Sequence, residues 1–398
     1  MTADRLRLLV LNWRDTRNPE GGGSEVYVES VARSLARAGH EVTLFCAAHD
    51  NGPAGEVRDG VRIVRAGTKL GVYREGWLRL RRGDFGELDV VVDVQNGVPF
   101  FSRLATRVPV VVLVHHVHRE QWRVVYGPLR SRIGWTLESR VSPRVYRGSR
   151  YVAVSERTRE ELVELGVDRE AIHVVHNGAE PAPAGYAGRD PEPRVLVLGR
   201  LVPHKRVELV LEAAAALRGH VPGLRVAVVG DGWWAPQLRE CAARLGVDDI
   251  VEFTGFVDEH DKHEQLARAW VLALPSLKEG WGLVVMEAAS HGVPAVAFGS
   301  AGGVAESVVD GVTGLLTDDD PAAFTAALER LLLDHDLRDE LGLAARERAG
   351  RFGWDATARG FAAALAAALG VPVVATDPVS PEERAHVHHE TTKEASPS

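Results

Sequence analysis

Two doubly wound α/β domains facing each other across a cleft are the fold this chain predicts. Three observations lead there. Short apolar runs alternate with helical patterns in both halves of the sequence. Glycine-bearing turns follow several of those runs, at the point where the next helix begins. The length, 398 residues, suits two domains of ordinary size, each with a full core.

Composition narrows the class. Apolar content of 45% and charged content of 26% are those of a soluble globular protein. The first twenty residues hold only a short apolar run broken by charge, so neither a signal peptide nor a membrane span is expected. Cys46 and Cys241 are too few and too far apart for a disulfide framework or a zinc site, and a cytoplasmic location is the expectation. The net charge of −8 gives no reason to expect a nucleic-acid partner. That charge is uneven: residues 1–182 carry +4 and the remainder −12. Residues 119–150 hold eight Arg and two Glu, which suggests an anionic partner, either phospholipid head groups at the inner face of the membrane or a phosphorylated acceptor. A solvated basic face is the competing reading.

In the first half, residues 6–12 read as a strand followed by a long polar loop. Gly21, Gly22, Gly23 and Ser24 then open a helix with Val26, Val28, Val31, Leu35 and Ala38 on its apolar face. A glycine turn at a helix start lets backbone N–H groups approach a phosphate or sugar closely. A dinucleotide fingerprint competes, but these glycines are contiguous rather than G-x-G-x-x-G, and the loop ahead of them is too long. Residues 41–47, 61–66 and 89–94 read as strands, the last delivering Gln95 and Asn96 into a loop. Residues 108–115 form the most continuous apolar run and empty into His115, His116 and His118. Strand alternation would send His116 away from the other two, and no further ligands complete a set, so no metal is expected. Ile133, Leu137 and Val141 are spaced like an amphipathic helix, with Trp122, Tyr126 and Trp135 interleaved. Residues 151–154 and 172–176 close a first domain spanning 1–180, and the proline-rich residues 181–194 read as a linker.

The second domain, residues 195–352, starts with a strand, a loop carrying Arg200 and Lys205, and a helix. With five Lys against 42 Arg, a Lys in an anion-facing loop reads as a specific choice. Residues 224–229 and 251–257 are further strands, and Trp233 and Trp234 suggest either a stacking wall or interdomain packing. Asp318, Asp319 and Asp320 precede Pro321 and read as a helix start rather than a metal site. Residues 271–274 form a buried strand that ends at Pro275 and leads through a loop to a helix starting at Gly282, with Leu283, Met286 and Glu287 at helical spacing. Glu279 stands in that loop, and Glu287 lies roughly 7–8 Å along the helix axis at about 1.5 Å per residue. An anion at the helix start would thus be flanked by two carboxylates. Residues 353–370 read as a last helix and 371–398 as a disordered tail.

The stretch P-S-x-x-E-G-W-G-L-V-V-M-E-A-x-x-x-G-V-P-A-V-A resembles the E-x7-E signature of the retaining nucleotide-sugar glycosyltransferases of family 4, and the match runs on through Ala301, Gly302, Gly303, Glu306 and residues 310–315. The resemblance implies the GT-B fold: two Rossmann-like domains, with the last helix crossing back to the first. It implies transfer of a mannose- or glucose-type hexose from a nucleotide-diphosphate sugar to a hydroxyl of a lipid-linked or saccharide acceptor, with no metal and no cofactor. By the same resemblance Arg200 and Lys205 hold the diphosphate, Glu279 orients the sugar and Glu287 holds the ribose. The helix start at Gly282 and Leu283 adds its dipole, Gly22 and Gly23 face the diphosphate, and the backbone of Gly255, Phe256 and Val257 lies against the base. His115 matches a strand-end histidine near the reacting sugar, with His118 in a neighbouring place. The basic, aromatic stretch matches a region that family members acting on lipids set on the bilayer, so a peripheral membrane location is also expected. An epimerase on the same fold and a non-catalytic nucleotide-sugar binder are the other readings.

Overall fold

The computed structural model describes residues 5–186 and 188–374; of the tail expected over 371–398, residues 375–398 lie outside the described residues, while 371–374 are placed, with Val374 O 2.9 Å from His40 Nε2. The chain forms two sheets. The first contains β1 (Arg7–Leu11), β2 (Glu41–Cys46), β3 (Gly55–Arg58), β4 (Val61–Arg65), β5 (Val90–Gln95), β6 (Val110–Val114), β7 (Arg150–Ala153) and β8 (Ile172–Val174), in the order β3-β4-β2-β1-β5-β6-β7-β8. Every residue of β5 and β6 is buried, as expected of strands covered by helices on both faces. Pairing is parallel except at the β3–β4 edge. The helices of this half are α1 (Gly23–Arg37), α2 (Gly71–Arg82), α3 (Arg119–Val125), α4 (Pro128–Thr136), α5 (Ser142–Val145) and α6 (Glu156–Glu164).

The second sheet contains β9 (Arg194–Leu198), β10 (Arg225–Val229), β11 (Val251–Gly255), β12 (Val271–Leu274), β13 (Ala295–Phe298) and β14 (Gly314–Thr317), ordered β11-β10-β9-β12-β13-β14 and parallel throughout. Its helices are α7 (Glu208–Leu217), α8 (Ala235–Leu245), α9 (Glu259–Arg268), α10 (Leu283–Ser290), α11 (Val304–Ser307), α12 (Pro321–Leu333) and α13 (His335–Ala349). Asp320 caps α12 by accepting from Ala323 N at 2.9 Å, so the acidic triplet is a helix start. No described helix is long and apolar enough to cross a membrane.

Helix α2 is not among the elements expected from the sequence. It turns Val72, Gly76 and Leu80 inward at helical spacing, and Gly76 sits where a Cβ would come within 2.8 Å of Phe45 and 3.0 Å of Phe100. Residues 128–145 are not one amphipathic helix. A π turn, Leu137–Val141, interrupts them. Ile133 points outward while Glu138 and Ser142 are buried, because those polar groups bind partners inside: Ser142 Oγ donates to Gln95 Oε1 at 2.6 Å.

The chain returns to the first domain through α14 (Trp354–Leu369). The two crossings touch, since Ala179 N donates to Phe352 O at 2.7 Å and Gly178 leaves no room for a Cβ beside Trp354. Trp354 and Phe361 set their rings edge-on to Tyr27 of α1, at centroid distances of 6.3 and 6.4 Å. Phe361 is buried in this contact, so Phe361→Ala is expected to destabilise the first domain by about 3–5 kcal/mol. Urea unfolding followed by hydrogen exchange in β1 and β6 reads this; a loss under about 1 kcal/mol would show that the helix is not part of that core.

Candidate active site

The loop after β12 is held from several sides. Glu279 N donates to Ala301 O at 2.9 Å, Gly303 N to Glu279 O at 3.1 Å, and Leu277 N to His204 O at 2.8 Å. The last bond ties the loop to the turn Pro203–Lys205, and in that turn Lys205 Nζ reaches Glu279 Oε1 at 2.5 Å. Burial acts to raise the Glu279 carboxyl, but the charge and hydrogen bond of Lys205 outweigh it and hold the group below the usual carboxylate range. His204 is pushed down to about 4, first by burial and then by the adjacent Lys205. Glu279 is therefore ionised at neutral pH.

Two helix starts meet beside this pair. Gly282 adopts φ +82° and caps α10, a conformation that favours glycine. Gly23 lies against it, where a Cβ would stand 3.5 Å from the Leu283 side chain. Gly22 N, at the start of α1, donates to Glu25 Oε2 at 2.7 Å, and Gly22 faces the Arg200 guanidinium. Arg200 Nη1 donates to Glu20 O at 3.1 Å. Gly22, Gly23, Gly282, Leu283, Arg200, Lys205 and Glu279 thus come together where the loops of the two domains touch. Two helix N-termini and two cations make that place strongly attractive to a diphosphate.

Glu287 is one turn further along α10, paired with Lys262 Nζ of α9 at 2.9 Å. Burial acts to lower the Lys262 ammonium, and Glu287 and Glu259 outweigh it and hold it above the usual range. Gly255 takes φ +74° and accepts from Gly230 N at 2.9 Å, while Phe256 is 84% exposed and Val257 half-buried. Of the neighbouring tryptophans, Trp234 packs inward and donates its indole N–H to Glu208, whereas Trp233 is exposed.

The histidines do not follow strand alternation. The strand ends at Val114, so the rule no longer applies, and the rings of His116 and His118 lie 4.1 Å apart. His115 is 5% exposed, edge-on to Tyr27 at 5.3 Å, and burial pushes its imidazole down to about 4. Its ring is thus packed under α1, while its carbonyl accepts from Thr158 Oγ1 at 3.2 Å at the domain seam. His118 remains partly open, with Nδ1 3.1 Å from Glu138 Oε1. Among the described residues, His260, Asp261 and Glu264 bring ligand atoms within 4.8 Å of one another, on an exposed turn of α9, an arrangement common without an ion.

Several charged groups have no local pattern announcing them. Arg14 is buried over the Trp13 ring at 3.8 Å with Glu25 at 3.5 Å, and its Nε and Nη1 find no hydrogen-bond partner among the described residues. Lys278 and Glu161 form a buried pair between the domains. Glu306 accepts from Glu156 N at 2.9 Å and Arg157 N at 2.7 Å, so the second domain caps α6 of the first.

Comparison with known proteins gives the family. The model of Glycosyltransferase Family 4 matches residues 21–182, and that of Glycosyl transferases group 1 matches residues 182–348. A D-inositol 3-phosphate glycosyltransferase of Frankia alni is 32% identical, over 89% of this chain and 97% of its own. The chain belongs to glycosyltransferase family 4. A second relative of this family 4 enzyme, the D-inositol 3-phosphate glycosyltransferase of Streptomyces bingchenggensis, is 30% identical over 88% of this chain and 86% of its own. Among solved structures, sucrose-phosphate synthase from Thermosynechococcus elongatus superposes with a TM-score of 0.74 at 19% identity, covering 98% of this chain and all of that one. Anabaena HepE in complex with UDP-glucose superposes with a TM-score of 0.71 at 19% identity, covering 91% and 100%. The fold of this glycosyltransferase is therefore GT-B, two Rossmann-like parallel sheets.

Proposed function

We propose that this glycosyltransferase moves a mannose- or glucose-type hexose, with retention of anomeric configuration, from a nucleotide-diphosphate sugar to a hydroxyl of a lipid-linked or saccharide acceptor. The observation that carries the reading is the Lys205–Glu279 pair set beside Arg200 where two helix starts converge. Arg200, Lys205 and the N–H groups of α10 stabilise the departing diphosphate, and Glu279 orients the sugar. Glu287 and Lys262 take the ribose side, and the backbone at Gly255, Phe256 and Val257 the base. The acceptor attacks from the leaving-group side, with a phosphate oxygen receiving its proton.

The relatives suggest the first substrates to try: UDP-glucose, bound in the HepE complex, as donor and D-inositol 3-phosphate as acceptor. A thermal-shift screen of nucleotide sugars, followed by nucleotide release with and without acceptor, tests the reading; donor conversion without any acceptor would point instead to an epimerase. Retention is read from the anomeric coupling of the product. Two cations and the helix starts supply the charge a metal would otherwise provide, so turnover is expected to persist in EDTA. Complete loss restored by magnesium would overturn that part.

A membrane-bound acceptor is supported by the surface of α3 and α4. Val124, Val125, Tyr126, Leu129 and Ile133 are exposed among the arginines of residues 119–150. Such a surface suits peripheral binding to an anionic bilayer on the cytoplasmic side.

A further inference from the structure

Glu138 stands on the π turn that breaks the helix after α4, a feature that recurs at functional sites. Its carboxylate is fully buried, on the face that Ser131 and Gly134 of α4 also turn inward, and three donors meet it there. His118 N lies at 3.0 Å and His118 Nδ1 at 3.1 Å from Oε1, and Trp122 Nε1 at 2.7 Å from Oε2. A carboxylate only accepts, so the neutral His118 ring must carry its proton on Nδ1 and leave the lone pair on Nε2. Glutamine cannot replace it without conflict. Its amide NH2 would face either the indole N–H or the backbone N–H of His118, donor against donor.

The support of Glu138 is rigid. The Trp122 ring lies between two glycines, where a Cβ would come within 2.9 Å at Gly97 and 2.4 Å at Gly134. On the other side the His118 ring packs on that of His116, whose Nε2 is 2.8 Å from Gln121 Oε1. An isolated buried carboxylate costs several kcal/mol, and here every bond it makes goes to the histidine or to the side chain that braces it. Such an arrangement serves to orient the histidine.

We propose that Glu138 is a positioning residue, which locks His118 in the Nδ1–H tautomer so that Nε2 accepts a hydrogen bond from a substrate hydroxyl. The effect on turnover rests on the transfer reading above; the tautomer does not.

Two-bond proton–nitrogen spectra of the full chain labelled with nitrogen-15 histidine, at about pH 8 and so above the ordinary histidine pKa, report the tautomer directly. The His118 signals are assigned by their loss in His118→Ala. The expected result is a protonated Nδ1 and a bare Nε2 in the wild type, lost or mixed in Glu138→Gln and kept in Glu138→Asp. Wild-type His118 carrying its proton on Nε2 would overturn the proposal, and needs no variant to fold. For turnover, Glu138→Gln is expected to lower kcat about 10–100-fold with donor KM within about twofold, and to add little to the loss in His118→Ala. Independent, additive losses or an unchanged kcat would overturn the catalytic part. If the tautomer is as expected but no nucleotide sugar is turned over, the transfer reading fails and the assignment of the tautomer stands.

Discussion

Lys205→Ala is expected to lower turnover by about 10²–10³-fold, the range found when one donor to a developing negative charge is removed. Two effects add. The leaving diphosphate loses a cation at the point where charge accumulates, and Glu279 loses the partner that keeps it ionised in a buried place. The sign of the second effect follows from the pKa direction. Because Lys205 holds the Glu279 carboxyl below its ordinary value, the pair contributes stability that is full above about pH 4.3 and lost as pH falls through the depressed value. In the variant, burial, which raises the carboxyl, is opposed only by Ser276 and His204, so the contribution of Lys205 is missing at neutral pH as well. Lys205→Arg should recover only part of the rate, since a planar fork does not reproduce a point charge at one carboxylate oxygen. Steady-state kinetics with saturating donor read this. Turnover within about twofold of wild type would remove Lys205 from the mechanism.

Gly280→Ala is the second large effect, and it acts through shape rather than charge. A Cβ at Gly280 would stand 2.2 Å from the carbonyl oxygen of His115 in the other domain and 3.2 Å from Val154 Cγ2. The first atom is backbone and cannot swing aside. The domains must therefore part by an ångström or more, and a misplacement of that size costs about 10²-fold where two reactants are held between them. Each domain's own core is untouched, so the expected variant has near-normal circular dichroism and a thermal transition close to wild type, with kcat reduced about 10²-fold. Wild-type kcat would mean that the seam opens wider during turnover than it stands here.

The parts of this protein that could be read from its sequence are those in which a strand, a turn and a helix follow one another within about twenty residues. The segment from β12 into α10 is one, and the glycine turn before α1 is another; each states its chemistry locally. What escaped depends on partners distant in the chain. Lys262 meets Glu287 from another helix, Arg14 is covered by its own loop, and Glu306 caps a helix of the opposite domain. Periodicity also failed where its assumption failed. The 3.6-residue repeat runs through the apolar Ile133, Leu137 and Val141, whereas the inward face is the small and polar one, Ser131, Gly134 and Glu138, which closes under Trp122. The two-residue repeat separated His116 from His118, although the strand had already ended.

The placement of α14 bears on how the protein is made. The ribosome releases the first domain's sequence long before the residues that complete that domain's interior, because Phe361 and Leu365 belong to the core around Tyr27. At about 5–20 residues per second the nascent chain waits roughly 10–40 s between them. Over that interval the apolar surface of α1 around Tyr27 lacks its cover, so the first domain is expected to finish folding only once the second has been made.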